Sequence, residues 1–390
     1  MPEVFISRQP LVNRQSKIIA TRLTLHPQGG ATLKDAADAL ALLAEFWPQG
    51  EKLVFINCGS TCDASVLEWL FPGNATFEVR PSTLVGADGA ALVAALKATR
   101  PSLCMVFDND AGAALATGLS FRFISFDARR YTPAQLKILA TKTQPYGIGV
   151  AFNVFDAPTF QACLDAGVNA AASWFFKNPG KPPAKALNPG QAQIIRVLNL
   201  VRKNAEVKEI EAALKQDVAL SYKLLRYINS AGFGLSCEIQ SFRHAVTILG
   251  YEKLNKWLSL LLATASKDPM APALMHTALT RARLMELLSH GLVDRQEYDN
   301  LFITGAFSML DALLGVSMEK VLESMSLPEA ICDALLGHGG IYAPFLELAK
   351  VSEGEDGVAL AEQAGMLGLS AEQFNRAQMQ ALQFAETMEL

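Results

Sequence analysis

The sequence predicts an α/β domain followed by an all-α domain. Residues 1–180 alternate between short extended apolar runs and Ala/Leu-rich stretches with helical spacing, a pattern typical of parallel strands joined by helices. Residues 191–390 carry helical spacing, with no convincing strand pattern among them. The intervening residues 181–190 are rich in Pro, Lys and Gly, which indicates a linker. We therefore expect two domains with these bounds.

The extended runs of the first domain are short, and Gly or Pro marks most of their boundaries. They lie at residues 4–6, 17–25, 53–56, 76–79, 103–107, 121–126, 147–151 and 169–173. The helix-like stretches between them lie at residues 32–46, 64–70, 86–98, 132–143 and 156–166. About seven or eight strand–helix units would close a barrel, whereas fewer would leave an open sheet. In both folds the loops after the strands carry the functional residues.

The second domain is predicted to be a compact set of short helices and not a coiled coil, because brief turns interrupt the apolar periodicity. The helical stretches are 191–203, 206–215, 218–229, 242–249, 251–265, 272–290, 295–310, 317–325, 328–336, 342–352, 356–365 and 370–388. Asp217 suits the N-cap of one of these helices, and Ser241 suits the N-cap of a later one. Gly250 fits the C-terminal stop of that later helix.

Composition excludes several classes of protein. The chain has 390 residues, of which 51% are hydrophobic and 18% are charged, and its net charge is −4. Neither half has the basic excess of a nucleic-acid-binding protein. No apolar run approaches the ~20 residues of a membrane span, and the N-terminus lacks the pattern of a signal peptide. We therefore expect a cytoplasmic protein that has no nucleic-acid partner and no membrane span.

Motifs for cofactors and nucleophilic catalysis are also missing from the sequence. The six cysteines are scattered in apolar surroundings and do not complete a zinc pattern, so we interpret them as buried thiols. The sequence contains no nucleophile elbow, no phosphate-binding P-loop and no dinucleotide-binding glycine motif. We expect no bound cofactor.

One segment, residues 210–250, carries a family resemblance. It resembles the HDOD domain of bacterial signalling proteins, which is an all-α relative of the HD phosphohydrolase fold. The matching positions are Asp217, Leu220, Leu224, Leu225, Asn229, Ser230, Ala231, Ile239, Ser241, Ala245, Leu249 and Gly250. HD enzymes hold metal with a His-Asp pair, and the resemblance places Ser308 and Met309 at that pair. HDOD domains generally lack the pair, so this loss is expected of the family.

The N-terminal half is similar to the EAL domain at both of its ends. Its opening, ISRQPLVNRQSKIIATRL, resembles the family's first strand, and its end, GVNAAASWFFKNP, resembles the closing segment. The resemblance implies a (β/α) barrel of EAL type. EAL phosphodiesterases hydrolyse cyclic di-GMP with two divalent cations, which carboxylates and an Asn hold and which activate water. An EAL-like half followed by an HDOD half is a known bacterial architecture.

The resemblance also implies that most of the EAL metal site is lost. The positions that keep a polar group of the family are Asn57, Glu78, Asp108 and Asp127. The positions that have lost one are Arg22 for the signature Glu, Ser125 for a Lys, Phe152 and Phe155 for two acids, and Ala172 for a Gln. A guanidinium at Arg22 would repel a divalent cation. We therefore expect a degenerate domain with no catalytic or metal-binding residues.

Three functions follow from this interpretation. The first is a signalling protein without enzymatic activity, which acts by contact with other signalling proteins or with copies of itself. The alternative is a sensor whose barrel binds cyclic di-GMP or another nucleotide without hydrolysing it. The third is a metal-dependent cyclic di-GMP phosphodiesterase. On the loss of ligands alone, the sequence predicts that the chain is not an enzyme.

Overall fold

The structure is a computed structural model that describes residues 3–48, 52–59, 62–86, 89–172, 174–177, 187, 189–215, 241–263 and 270–387. The chain divides into two compact units, which we describe one at a time. The first unit joins Met1–Gly180 to Lys350–Met379, and the second joins Lys181–Ala349 to Gln380–Leu390.

The first unit is built around a closed barrel of eight strands. The strands are β1 Glu3–Asn13, β2 Ile18–Gln28, β3 Leu53–Asn57, β4 Ala75–Val79, β5 Ser102–Val106, β6 Phe123–Asp127, β7 Ile148–Phe152 and β8 Ala170–Ala172. β1 runs antiparallel to both of its neighbours, β2 and β8, and the other adjacent strands are parallel. Pairing of Leu11 with Ala172 closes the ring. The predicted α/β barrel is therefore confirmed, and the alternative of an open sheet is wrong.

The helices of the first unit are short, and several begin at side-chain caps. They are Leu33–Leu42, Pro81–Val85, Gly89–Thr99, Ala111–Ala116, Pro133–Thr143, Ala157–Asp165, Gly357–Met366 and the first part of Ala371–Thr387, with 3₁₀ turns at Ala44–Phe46, Ala64–Leu67 and Phe175–Lys177. The side chains of Thr32, Thr132 and Asp156 accept hydrogen bonds from free N–H groups in the first turn of their helices. These caps fix the start of each helix, because such N–H groups have no partner within the helix.

The inside of the barrel is packed with aromatic and small side chains. The ring of Phe55 lies 5.1 Å from that of Phe123 and 6.3 Å from that of Phe152, measured between centroids. Leu11 and Ala172 belong to the same buried cluster. A filled interior leaves the ends of the strands as the place for a functional site, as is usual in such barrels.

Residues 350–379 complete the first unit by satisfying one edge of β1. β8 is short and pairs only with Leu11–Asn13, so the earlier part of β1 has a second edge without a strand. The side chain of Asn375 accepts from Ile6 N at 3.0 Å and donates to Val4 O at 2.7 Å. Gln378 Nε2 donates to Ile6 O at 2.6 Å, and Arg8 N donates to Ser352 O at 3.0 Å. Unpaired backbone groups at a buried edge are costly, so these contacts bind the segment to the barrel.

This arrangement differs from the domain bounds expected from the sequence. The sequence predicted one helical domain over residues 191–390, whereas Lys350–Met379 belong to the same compact unit as the barrel. The physical reason is the open edge of β1, which needs hydrogen-bond partners that the short β8 does not supply. The expected linker at 181–190 lies mostly outside the described residues.

The second unit is helical throughout its described part, as the sequence predicts. Its helices are Pro189–Arg202, Val207–Lys215, Phe242–Ala263, Ala271–Leu288, Tyr298–Phe307, Leu310–Leu314, Met318–Glu323, Glu329–Leu336 and most of Ala343–Val351, with a 3₁₀ turn at Arg295–Glu297. Helices Ala271–Leu288 and Tyr298–Phe307 approach closely at Gly305, where an added Cβ would lie 2.6 Å from the backbone of Ala282. This crossing therefore requires glycine.

The HDOD signature is described only at its end. Asp217, Leu224, Asn229 and Ser230 lie outside the described residues. Ser241 Oγ accepts from His244 N at 3.2 Å, which caps the helix that follows. Gly250 has φ 73° and interrupts the helical backbone within Phe242–Ala263. Its left-handed conformation suits glycine at a helix stop.

No helix in the described part of the chain combines the length and the hydrophobicity that crossing a bilayer requires.

Candidate functional site at the mouth of the barrel

A pocket of about 400 Å³ lies at the carboxyl ends of the barrel strands. Several strands contribute to it: Asn57 ends β3, Arg80 follows β4, Asp127 ends β6 and Phe152 ends β7. The rest of its lining is Arg22, Val106, Phe107, Ser125, Arg129, Arg130, Asn153 and Glu355. A larger hollow of about 560 Å³ opens at the amino ends of β6, β7 and β8, and its lining contains no charged side chain. We place the candidate site at the charged pocket, because ligands of parallel barrels bind at the carboxyl ends of the strands.

Arg22 is the central cation of this pocket. Its Nε and Nη2 donate to the two carboxylate oxygens of Glu78, at 2.6 and 2.9 Å. Its Nη1 donates to Glu355 Oε1 at 2.8 Å and to Gln9 Oε1 at 3.1 Å. The guanidinium carbon also lies 4.3 Å from the centre of the Phe152 ring. Two carboxylates, one amide and one aromatic face therefore hold a single buried guanidinium.

The electrostatics of Arg22 follow from these contacts. Burial alone would lower its pKa, but the charges and hydrogen bonds of Glu78 and Glu355 outweigh burial and hold the pKa above its usual value. The side chain of Glu78 is 1% exposed. An ionised carboxylate at that depth requires a partner, and Arg22 supplies it. The pair thus keeps both of its charges inside the barrel.

The four polar positions that the resemblance retains do not fit a divalent cation. Glu78 is engaged by Arg22 through both oxygens. Asn57 accepts from Gly59 N and donates to Thr24 Oγ1, and Asp108 Oδ1 accepts from Asp110 N. Asp127 accepts from the backbone and guanidinium of Arg129, and these bonds hold its pKa below the usual value although burial acts to raise it. Among the described residues, no group of three or more His, Cys, Asp or Glu could hold a metal ion.

The structure brings some of the sequence-predicted positions together and separates others. Arg22, Asn57, Ser125, Asp127 and Phe152 line the pocket, and Glu78 reaches it through Arg22. Asp108 lies outside the lining.

Two of the lost-ligand positions lie elsewhere. The side chain of Phe155 is 57% exposed and does not contribute to the pocket. Ala172 is fully buried in the packed interior of the barrel, where it pairs with Leu11. These two positions cannot take part in the candidate site.

Sequence reasoning missed the basic rim of the pocket. Arg80, Arg129 and Arg130 join Arg22, which gives the lining four guanidinium groups against the carboxylates of Asp127 and Glu355. Arg80 Nε donates to Gly59 O at 3.1 Å, which fixes this side chain beside the pocket. The available signal was the position of these arginines: Arg80 directly follows the predicted strand 76–79, and Arg129 and Arg130 lie shortly after the predicted strand 121–126. A basic, partly enclosed mouth favours an anionic ligand such as a phosphate.

In the second unit, a buried guanidinium contacts one of the two positions where the resemblance places the lost His-Asp pair. Arg281 is 4% exposed, and its Nη1 donates to Ser308 Oγ at 2.9 Å. Ser308 Oγ in turn donates to Gly305 O at 2.7 Å. Met309 is 4% exposed and belongs to the apolar core. The two positions therefore serve packing and hydrogen bonding between helices.

Comparison with known proteins identifies the helical half. Residues 188–318 match the family model described as the HDOD domain. The chain is 27% identical over 228 residues to the cyclic di-GMP phosphodiesterase CdgJ of Vibrio cholerae serotype O1, a match that covers 58% of this chain and 53% of that protein. The matched region thus spans about half of that relative's length. The chain is also 25% identical over 377 residues to the uncharacterised protein YuxH of Bacillus subtilis, which covers 90% of each.

The barrel half resembles solved EAL domains in fold. The crystal structure of the Xanthomonas citri FimX EAL domain in complex with c-diGMP is 16% identical, with a TM-score of 0.34, and covers 43% of this chain and 85% of that one. The closed barrel of eight strands and the HDOD match confirm the predicted architecture, in which a barrel precedes an HDOD domain.

One prediction is overturned by the comparisons. The sequence predicted that the chain is not an enzyme, because the metal ligands of the barrel are lost. A relative with 27% identity is named a cyclic di-GMP phosphodiesterase, which points to an enzyme. Loss of one set of ligands was therefore too narrow a basis for that prediction.

Proposed function

We propose that this chain acts in cyclic di-GMP signalling and that the mouth of its barrel binds the dinucleotide through its phosphates. The name of the Vibrio cholerae relative supports the choice of ligand. The observation that carries the proposal is the set of four guanidinium groups around one pocket, at Arg22, Arg80, Arg129 and Arg130. Guanidinium groups bind phosphate oxygens with two parallel hydrogen bonds and keep their charge at every physiological pH.

The pocket also suits the rest of such a ligand. Its volume of about 400 Å³ lies in the range of roughly 300–1,000 Å³ found for small-molecule sites. Phe107 lies half-buried in the lining, with its ring 6.3 Å from that of Tyr131. In the proposal a guanine base stacks on Phe107 while the phosphates lie against the arginines. EAL phosphodiesterases use divalent cations, but the described donors do not fit them, so this mode of binding involves no metal.

Calorimetric titration of the full chain with cyclic di-GMP, in EDTA and in Mg²⁺, tests the proposal. We expect binding in both buffers, and a loss of about tenfold or more in affinity for Arg80→Ala and for Arg130→Ala. Arg122→Ala is the matched control, because Arg122 is exposed at the opposite end of β6. The absence of measurable binding in either buffer would overturn the proposal, and so would an equal loss with the control.

The name of the Vibrio cholerae relative makes phosphodiesterase activity on the same dinucleotide the second candidate function. Chromatography of the reaction products, with Mn²⁺ and with Mg²⁺, measures it directly. Linear product that disappears in Asp127→Asn would establish hydrolysis at this mouth. Absence of product at saturating cyclic di-GMP over a long incubation would contradict it.

Contacts with other proteins remain part of the proposal for the second unit. Exposed apolar side chains there include Leu292 at 43% and Ile341 at 58%. We propose that such side chains contribute to contacts with a signalling protein or with a second copy of the chain. Light scattering of the purified chain measures self-association, and a smaller mass for Ile341→Asp would support it. A monomer at every concentration would exclude the second copy.

A further inference from the structure

Glu355 places a carboxylate of the protein itself in the pocket that we assign to phosphate. It comes from the segment that returns to the barrel, more than three hundred positions along the chain from Arg22. Its Oε1 accepts from Arg22 Nη1 at 2.8 Å. Arg129, whose pKa is raised chiefly by its hydrogen bonds to Asp127 and also by the charge of Glu355, lines the same pocket. Glu355 therefore contacts Arg22 within a pocket that other arginines also line.

The backbone before Glu355 is firmly anchored. Glu353 is 3% exposed and forms ion pairs with Arg8 and with Lys177. The carbonyl of Glu353 accepts from Trp174 Nε1 at 2.6 Å. Ser352 O accepts from Arg8 N. These buried ion pairs and hydrogen bonds fix the segment as far as Glu353.

The backbone after Glu355 is fixed as well. The side chain of Asp356 caps the helix Gly357–Met366 and accepts from Val358 N and Ala359 N. Gly357 lies against the His26 side chain so closely that an added Cβ would be 2.5 Å from His26 Cβ. With both flanks held, the fold directs the Glu355 side chain into the mouth of the barrel.

Glu355 differs from its neighbour Glu353 in its access to solvent. The side chain of Glu355 is 41% exposed, whereas that of Glu353 is 2% exposed. An ion pair with a partner so exposed is weak, because water competes for the carboxylate. Glu355 can therefore leave Arg22 by a change of rotamer alone. Arg22 would stay in place, since Glu78 holds its two other nitrogens.

We propose that Glu355 is a built-in competitor of the phosphate ligand, which must displace this carboxylate from Arg22 in order to bind. The inference rests on the proposed function, because it assigns the regulation of the same site. The segment 350–379 then sets the affinity of the pocket for anions. The affinity is lower while Glu355 is bound to Arg22. A change that withdraws the segment would raise the affinity.

The test is a titration of the full chain with two separate probes, cyclic di-GMP and inorganic pyrophosphate. Glu355→Gln keeps the shape of the side chain and removes its charge. We expect it to bind both probes about tenfold more tightly than the wild type, because a repulsive and competing charge is gone. Glu355→Asp keeps the charge and should stay within a few-fold of the wild type. Glu362→Gln, at an exposed position of the following helix, is the matched control and should leave binding unchanged.

The outcomes separate this inference from the proposed function. Equal binding of cyclic di-GMP by the wild type and Glu355→Gln, or weaker binding by the variant, overturns the role of Glu355 and leaves the proposed function standing. Tighter pyrophosphate binding by Glu355→Gln, with no binding of cyclic di-GMP by any form, supports the role of Glu355 and overturns the proposed ligand. Failure of all forms to bind either probe overturns both. Circular dichroism of each variant verifies that it is folded.

Discussion

Arg22 of the barrel unit and Arg281 of the helical unit are both buried guanidinium groups, and they differ in what surrounds them. Arg22 is bound by the carboxylates of Glu78 and Glu355 and lines an open pocket. Arg281 donates to the hydroxyl of Ser308 between two closely crossing helices. The resemblance places Arg22 at the signature Glu of the EAL metal site, and Arg281 contacts Ser308, where the resemblance places one member of the lost His-Asp pair.

The difference shows how one kind of residue can serve two purposes. In the barrel, the cation balances a retained buried acid and still offers one nitrogen to a partner that can be exchanged. In the helical unit, the cation ties a Ser hydroxyl into the packing. Buried polar groups need partners in both cases, and in the barrel the buried guanidinium also lines a pocket. We therefore expect the barrel to recognise the ligand.

The largest effect should come from removing Arg22. Arg22→Leu leaves Glu78 buried without its counter-charge and should lower the free energy of unfolding of the barrel unit by about 3–5 kcal/mol. Chemical denaturation with a barrel-specific probe measures this. The double variant Arg22→Leu with Glu78→Leu should recover most of the loss, since no lone charge remains. If the double variant were as unstable as the single one, the charge balance would not explain the site.

The second-largest loss of stability should come from breaking the contact between residues 350–379 and β1. Asn375→Leu removes the partners of Ile6 N and Val4 O and should cost the barrel unit about 2–3 kcal/mol. Hydrogen exchange at the Ile6 amide should also become faster. Glu372→Leu, at an exposed position of the same helix, is the control and should change neither quantity. Unchanged exchange at Ile6 in Asn375→Leu would contradict the edge contact.

A smaller effect is expected in the helical unit. Ser308→Ala removes the hydroxyl that accepts from Arg281 and should lower the free energy of unfolding by about 1 kcal/mol. Thermal unfolding measures the change. A loss as large as that of Arg22→Leu would erase the distinction between the two guanidinium sites.

The smallest expected effect is a pH dependence of the stability of the barrel, which rests on His26 of β2. Burial lowers the pKa of His26 below 6.5, and the nearby Arg22 lowers it further, against the opposite effects of Glu355 and Asp356. The unfolded chain therefore binds this proton more readily than the folded one. The barrel unit should lose stability as pH falls from about 6.5 toward the lower pKa of the folded state. His26→Gln should flatten that slope in urea titrations at several pH values, and an unchanged slope would assign it to other groups.

Much of the barrel could be predicted from the sequence, because its strands and helices are recognisable from local patterns of apolar residues. The position of Arg22 within the site also followed from the opening segment. The packing of residues 350–379 against the barrel could not be predicted. Asn375 contacts Ile6 at an edge of β1 that is open only because β8 is short. The same holds for Glu355, whose place beside Arg22 depends on that packing. Local patterns locate elements, whereas contacts between distant segments depend on the assembled barrel.

The most direct test of ligand recognition by the arginines of the pocket compares the affinity of the wild-type chain for cyclic di-GMP in EDTA with its affinity in Mg²⁺. The guanidinium groups of the pocket supply the positive charge, so we predict equal affinities in the two buffers and a steep decrease with added salt. Binding that appears only with the divalent cation would contradict recognition by arginine, because it would require the metal site that the described donors do not fit.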